Sequence, residues 1–270
     1  MRHKENKITL PGKLRITFVQ TALYWEDADE NRKNLTSLLA RTRRGTTDLI
    51  LLPEMFSTGF TMNAPEVAET MNGPTTAWMK DLAASKGAVV CGSIIIQEKQ
   101  KFYNRLLWID PGKKPLVYDK RHLFRMAGEH HIFSPGMKRL IVTLNGWRVC
   151  PLVCYDLRFP VWSRNKGDYD LLLFVANWPQ KRRFAWKQLL VARAIENQCY
   201  LAGLNRIGKD GKHISYRGDS VVLDAMGQKI SKTTGTEEAV ETVTLDYGML
   251  DHLRKSFPVL ADADNFEVKM

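Results

Sequence analysis

The chain has 270 residues, 44% apolar and 26% charged, the balance of an ordinary soluble globular protein long enough for one substantial core. No apolar run approaches the ~18 residues of a membrane span, so no membrane partner is expected, and four cysteines without dense spacing argue for a reducing, cytoplasmic setting. The net charge of +11 comes from scattered groups, "RTRR", "DKRHLFR" and "QKRR", rather than a basic tract; no nucleic-acid partner is expected, and an anionic small substrate accounts for the charge equally well.

The basic opening "MRHKENKITLPGK" lacks the apolar centre of a secretion signal. "LRITFVQ" and "TDLILLPE" read as buried strands, and "DADENRKNLTSLLARTRRG" between them places Leu35, Leu38 and Leu39 on one helical face. "GPTTAWMKDLAASKG" is a second helix, with Pro74 near its start and Gly87 just past its end. Strands "AVVCGSIIIQ", "FYNRLLWID" and "PLVYDK" follow, then an aperiodic stretch from Arg121 to Gly136 that reads as a long loop covering the site. "RLIVTLNGWRVCPLVC" is a hairpin about Asn145-Gly146. "YDLLLFVANWP" is a further buried strand, and "RRFAWKQLLVARAIENQ" a helix with apolar spacing through Phe184, Leu189, Leu190 and Ile195. "CYLAGLNR" is again a strand, "GDSVVLDAMGQKI" a hairpin about Met226-Gly227 with "EAVETVTLD" pairing nearby, and "YGMLDHLRKSF" a last helix. Alternating strands and helices mixed with hairpins imply one α/β domain with partly antiparallel sheets.

Three buried runs end in a reactive group: "LILLPE" in Glu54, "PLVYDK" in Lys120 and "CPLVC" in Cys154. Strand ends hold side chains rigidly, and a carboxylate, an ammonium and a thiol are the parts of an acyl-transfer machine. The thiolate attacks, the carboxylate moves the proton, and the ammonium stabilises an oxyanion beside a backbone N–H. Spacing alone leaves plainer roles open: Cys154 as core, Glu54 as a solvated residue after a strand, Lys120 as part of a surface "DKR" group.

"LLPEMFSTGF", "YDKRHLF" and "LVCYDLRFP", in that order, resemble the nitrilase superfamily of carbon–nitrogen hydrolases. "YDKRHLFRMAGEH", "VANWP" and "ARAIENQCYLAGLNRIG" are most similar to its bacterial ω-amidase branch. The resemblance implies a four-layer αββα sandwich over residues 13–270, with residues 1–12 a dispensable extension. It also implies Glu54 as general base, Lys120 as oxyanion lysine, Cys154 as nucleophile, Glu129 as a second glutamate beside them, and the Tyr155 N–H as second oxyanion donor. The implied substrates are small dicarboxylate monoamides such as 2-oxoglutaramate or 2-oxosuccinamate, with no cofactor and no metal, in a homodimer or higher homo-oligomer.

Such an anionic amide needs a cation opposite the scissile bond. Arg158 in "CYDLR" is the first candidate, its alternative being a structural pair with Asp156. Phe124, Asn177 and Trp178 are further pocket candidates, Trp178 reading more naturally as core, as do Cys91, Cys150 and Cys199. A Cys–His hydrolase using His122, His130 or His131 would leave Glu54 and Lys120 unexplained. "GEHH" is not HExxH, and Cys150 to Cys154 is CxxxC. A nitrilase or N-carbamoyl amidase would share the same triad, and a non-catalytic binding protein using the basic surface is the reading from another class.

Overall fold

A computed structural model describes residues 10–268. Strand–helix alternation opens the chain: β1 (Lys13–Gln20), α1 (Ala28–Leu38), β2 (Leu49–Leu51), a one-turn α2 (Ala64–Val67) and α3 (Pro74–Lys86). A meander of β3 (Val89–Glu98), β4 (Lys101–Ile109) and β5 (Leu116–Asp119) follows. The second half runs α4 (Glu129–Ile132), β6 (Val142–Leu144), β7 (Trp147–Val153), α5 (Pro160–Ser163), β8 (Leu171–Ala176), α6 (Arg183–Glu196) and β9 (Tyr200–Asn205). It finishes with a ribbon, β10 (Ile207–Lys209) and β11 (Ser215–Arg217), then β12 (Val221–Leu223), β13 (Ala239–Asp246) and α7 (Tyr247–Ser256).

The local signals act as their chemistry demands. Asp27 caps α1 by accepting the Glu30 N–H at 2.9 Å. Pro74 opens α3 and Gly87 ends it in the left-handed region, at φ +61°. Asn145 and Gly146 both have positive φ, the backbone of a type I′ turn between β6 and β7.

Two mixed sheets form, ordered β13-β1-β2-β3-β4-β5 and β12-β9-β8-β7-β6, with β1, β2 and β3 parallel in one and β7, β8 and β9 parallel in the other. Both faces of the central strands are covered, which is why they read as unbroken apolar runs. In β2, Leu49 and Leu51 point toward the second sheet, while the outward-facing Ile50 packs with Leu35 and Leu39 of the first helical layer and with Met79 and Leu82 of α3. On the far side α6 lays Trp186 and Leu190 against β9, so closely that a Cβ on Gly203 would stand 2.6 Å from Leu190. Helices, sheet, sheet, helices: the expected αββα sandwich is formed.

Four local readings change. Segment 121–136 is not all loop; it holds a 3-10 turn at Arg125–Ala127 and α4. The buried face of α6 is Trp186, Leu190, Arg193 and Ala194, whereas Phe184 and Ile195 are exposed. The Met226-Gly227 turn exists, but its return arm makes a single bridge, Leu223 to Lys229. β13 pairs not with β12 but along all of β1, at the other sheet's edge. Residues 1–9 of the expected extension lie outside the described residues. Its last part is engaged, the Trp147 indole donating to the Gly12 carbonyl at 3.0 Å.

Candidate active site

The parallel strands release their chemistry at one end of the sandwich. Lys120 follows β5 directly, Cys154 follows β7, Asn177 follows β8, and Glu54 lies just past β2. At two of these exits the backbone turns through a conformation that side chains avoid: Met55, next to Glu54, has φ +41°, and Cys154 itself has φ +44°. Met55 is held there by its N–H to Ser93 Oγ, 2.9 Å. Cys154 opens a 3-10 turn, Cys154–Arg158, in which the Tyr155 N–H lies in the first turn, where amides lack an intrahelical acceptor. That turn is pinned by buried Asp156, which accepts the Val153 N–H (3.1 Å), the Tyr118 hydroxyl (2.7 Å) and the His122 N–H (3.0 Å).

Glu54, Lys120 and Glu129 form a buried charged cluster at the floor of the site. Lys120 Nζ donates to Glu54 Oε1 at 2.8 Å and to both oxygens of Glu129 at 2.9 and 3.0 Å. Asn104 Nδ2 also donates to Glu54 Oε1 (2.8 Å), and the Asn177 N–H donates to Oε2 (2.8 Å). Burial alone would lower the Lys120 pKa, but the carboxylates of Glu129 and Glu54 more than offset this and raise it, so the ammonium is charged at any ordinary pH. Burial raises the Glu129 carboxyl above its usual range, against the pull of Lys120. The Cys154 thiol is pushed well up, first by burial and then by the Glu54 charge. Its resting form is therefore the thiol, beside a carboxylate able to take the proton as sulfur attacks.

Cys154 opens into a pocket that Tyr155, Arg158, Phe124, Asn177 and Trp178 help to line, so the structure brings every sequence-derived site residue together. Arg158 makes no ion pair among the described residues. Asp156 is spent on the turn and the β5 exit, and the Arg158 guanidinium lies on the Trp178 ring, 4.9 Å from its centroid. Trp178 is buried, as expected of core, and it is also pocket wall. Asn177 does more than line the cavity: besides its N–H, its Nδ2 donates to the Glu54 carbonyl at 2.5 Å, leaving Oδ1 buried without a partner among the described residues. None of His122, His130 and His131 lines this pocket; His122 stacks on Phe159 and turns Nδ1 to Asp156.

Several contributors escape a sequence reading. Asn104 had a visible signal, a polar residue in the apolar strand "FYNRLLWID", where only a buried partner justifies its cost. Arg182, stacked on Phe124 at 5.0 Å, and Lys212 add two pocket cations from distant segments, and nothing local marks either.

Residues 15–255 match the carbon–nitrogen hydrolase family. The chain is 44% identical over 261 residues to the ω-amidase YafV of Escherichia coli K12, covering 96% of this chain and 100% of that one. It is 32% identical over 256 residues to the 2-oxoglutaramate amidase of Bacillus subtilis, covering 93% and 97%. A crystal structure of a CN-hydrolase superfamily protein from Xanthomonas campestris, with an arsenic adduct in its active site, superposes with a TM-score of 0.93 at 45% identity, covering 95% of this chain and 99% of that one.

Proposed function

The chain belongs to the carbon–nitrogen hydrolase family, and from that premise we propose that it is an ω-amidase releasing ammonia from small dicarboxylate monoamides such as 2-oxoglutaramate. The observation that carries this reading is the meeting of two unlike charge patterns in one pocket. At its floor the Cys154 thiol meets Lys120, which is itself bound to Glu54 and Glu129; at its walls stand the cations Arg158, Arg182 and Lys212. Asp210, the one acid among the described residues that line the pocket, has both oxygens engaged by Tyr216 and by backbone N–H groups. An amide nitrogen belongs at the floor and a carboxylate at the walls.

The chemistry follows from the positions. Glu54 accepts the thiol proton as Cys154 Sγ attacks the amide carbon, and Lys120 with the Tyr155 N–H stabilises the oxyanion. Glu54 then protonates the nitrogen, the C–N bond breaks, ammonia leaves and a thioester remains. Water, losing its proton to Glu54, attacks that thioester, the C–S bond breaks, Glu54 returns the proton to sulfur and the acid departs. Asn177 Oδ1, buried and unpaired among the described residues, is suited to accept an N–H of the substrate amide. Glu129 keeps Lys120 in place, and Arg158 clamps the far carboxylate while Phe124 supplies apolar wall.

The test is ammonia release from 2-oxoglutaramate beside glutamine, a nitrile and an N-carbamoyl amino acid, with Cys154→Ala as blank. Release confined to the oxo-amide is expected. Release from the nitrile or carbamoyl compound instead moves the assignment to another activity of the same triad, and silence from folded protein ends the enzymatic reading.

Cytoplasmic placement and homo-oligomeric assembly belong to the same proposal. Four free thiols, all buried, support a reducing compartment. Phe184 and Ile195, exposed on one face of α6, support a covering partner copy, which light scattering of purified protein tests.

A further inference from the structure

Arg206 is a buried cation that the chemistry above leaves unused. It follows β9, is fully buried, and among the described residues has no carboxylate partner. Its guanidinium donates to three carbonyls instead: Ile207 and Lys209 at 3.0 Å and Leu23 at 3.2 Å. Burial lowers its pKa, with Tyr216 and Asp210 partly restoring it. A guanidinium is costly to keep in such a place, so what it holds there matters.

What it holds is the β10–β11 ribbon. The Arg206 guanidinium lies on the Tyr216 ring, 4.8 Å from its centroid. The Tyr216 hydroxyl donates to Asp210 Oδ2 at 2.8 Å, and Asp210 Oδ1 accepts the N–H groups of Lys212 and Ile214, both at 2.9 Å. Contacts thus run unbroken from the end of β9 to the turn at residues 210–214. From the other side the turn rests on Trp25; a Cβ on Gly211 would stand 2.5 Å from the indole. The backbone that carries Lys212 is fixed from both sides, and Asp210, with its acceptor positions taken, offers no competing pair. Lys212 stands at the pocket rim with its ammonium unpaired among the described residues.

We propose that Lys212 is a specificity-determining residue that contacts the anionic end of the substrate, and that Arg206 is a positioning residue acting on it through Tyr216 and Asp210. This rests on the anionic-amide reading and deepens it. Arg158, stacked and half-buried, supplies the deeper contact, while Lys212 is exposed, so its effect is modest and screened by salt.

The experiment compares succinamate with butyramide, the same chain length with a methyl group in place of the carboxylate, using the full-length protein. Lys212→Met is expected to raise KM for succinamate about fivefold at low salt, with a smaller rise at high salt and no such rise for butyramide; Lys212→Arg restores it. Arg206→Lys is expected to reproduce the succinamate shift, and in a Lys212→Met background to add nothing to it. Should Arg206→Lys fail to fold, Gly211→Ala, which pushes the turn off Trp25, gives the same readout. Equal effects on both amides, or additive effects of the two substitutions, overturn the proposal. Wild-type protein that prefers succinamate, with a preference Lys212→Met leaves intact, overturns this inference alone. Wild-type protein that cleaves butyramide as readily as succinamate overturns the anionic-amide reading with it.

Discussion

At the scale of single residues, the site depends on balancing two buried carboxylates with one ammonium. Lys120→Met removes that ammonium and leaves Glu54 and Glu129, both fully buried, facing each other. We expect kcat to fall by roughly 10²–10³-fold from the lost oxyanion donor, and unfolding free energy to fall by about 3–5 kcal/mol from the broken buried pair. Steady-state rates and a urea midpoint check the two losses separately. Arg158→Lys keeps the charge but gives up the planar fork that lies on Trp178 and fits a carboxylate. KM for 2-oxoglutaramate should rise about tenfold, and much less for a neutral amide; equal rises would remove Arg158 from the carboxylate. Glu54, Lys120 and Cys154 were candidates because each follows a buried run with a reactive group, but a lone thiol is also an ordinary core residue, and it was the resemblance of their flanking motifs that assigned the three their roles. Asn104 carried a signal, a lone amide in an apolar strand, whereas Arg182 and Lys212 carried none, because only the folding of distant segments brings them to the pocket.

Among elements, periodicity located the longer helices and strands and missed the short α2, α4, α5, β10 and β11, which are less than two turns or strand repeats long. The face chosen for α6 was wrong because Phe184 and Ile195 are apolar yet point away from the sheet, and Arg193 points inward, donating to the Leu157 carbonyl at 2.9 Å. The return arm of the β12 hairpin read as a strand because Ile230 stands opposite the apolar run of β12, yet the arm makes a single bridge, beside which the Ile230 N–H donates to the Val222 carbonyl at 2.9 Å. One tie between elements lends itself to measurement. Asp170, buried at the start of β8, accepts from Arg148 of β7 at 2.7 and 3.0 Å and from Arg254 of α7 at 2.6 Å. Burial would raise its pKa, but these hydrogen bonds more than offset it and hold the carboxyl below the usual range. A depressed folded-state pKa means stability that is present above the unfolded value near 3.9 and lost as pH falls through the folded one. Asp170→Asn should therefore cost about 2–4 kcal/mol at pH 7, with the gap to wild type closing below about pH 4. A gap that persists at low pH would assign the loss to packing instead.

For the whole molecule, the sandwich sorts its four thiols by depth. Burial pushes the Cys150 thiol up to about 12 and raises Cys91 and Cys199 further, and all three are wholly buried in the core. Cys154 is also raised, but it borders a pocket and has Glu54 next to it. Iodoacetamide should add to one cysteine in the native protein and to four after unfolding, as counted by mass spectrometry, and the first addition should track loss of activity. Labelling of a second cysteine in folded protein would mean the layers open more readily than their packing implies. The layered fold itself was legible from strand–helix alternation and the resemblance. The long-range pairing of β13 with β1 was not, since no local pattern tells a strand which sheet to join.

That pairing sets a schedule. Thr17 on β1 shares a hydroxyl–hydroxyl hydrogen bond with Thr242 on β13, 225 residues later. At ribosomal speeds of 5–20 residues per second, β1 waits roughly 11–45 s for its outer neighbour. Through that interval the outer edge of β1 is unpaired, an arrangement that invites pairing with another nascent chain. The floor of the catalytic site spans a long gap of its own, 123 residues from Glu54 to Asn177, so it cannot be assembled until more than half of the chain is made. Contacts this distant in sequence also make refolding from denaturant slow compared with a helical protein of similar size.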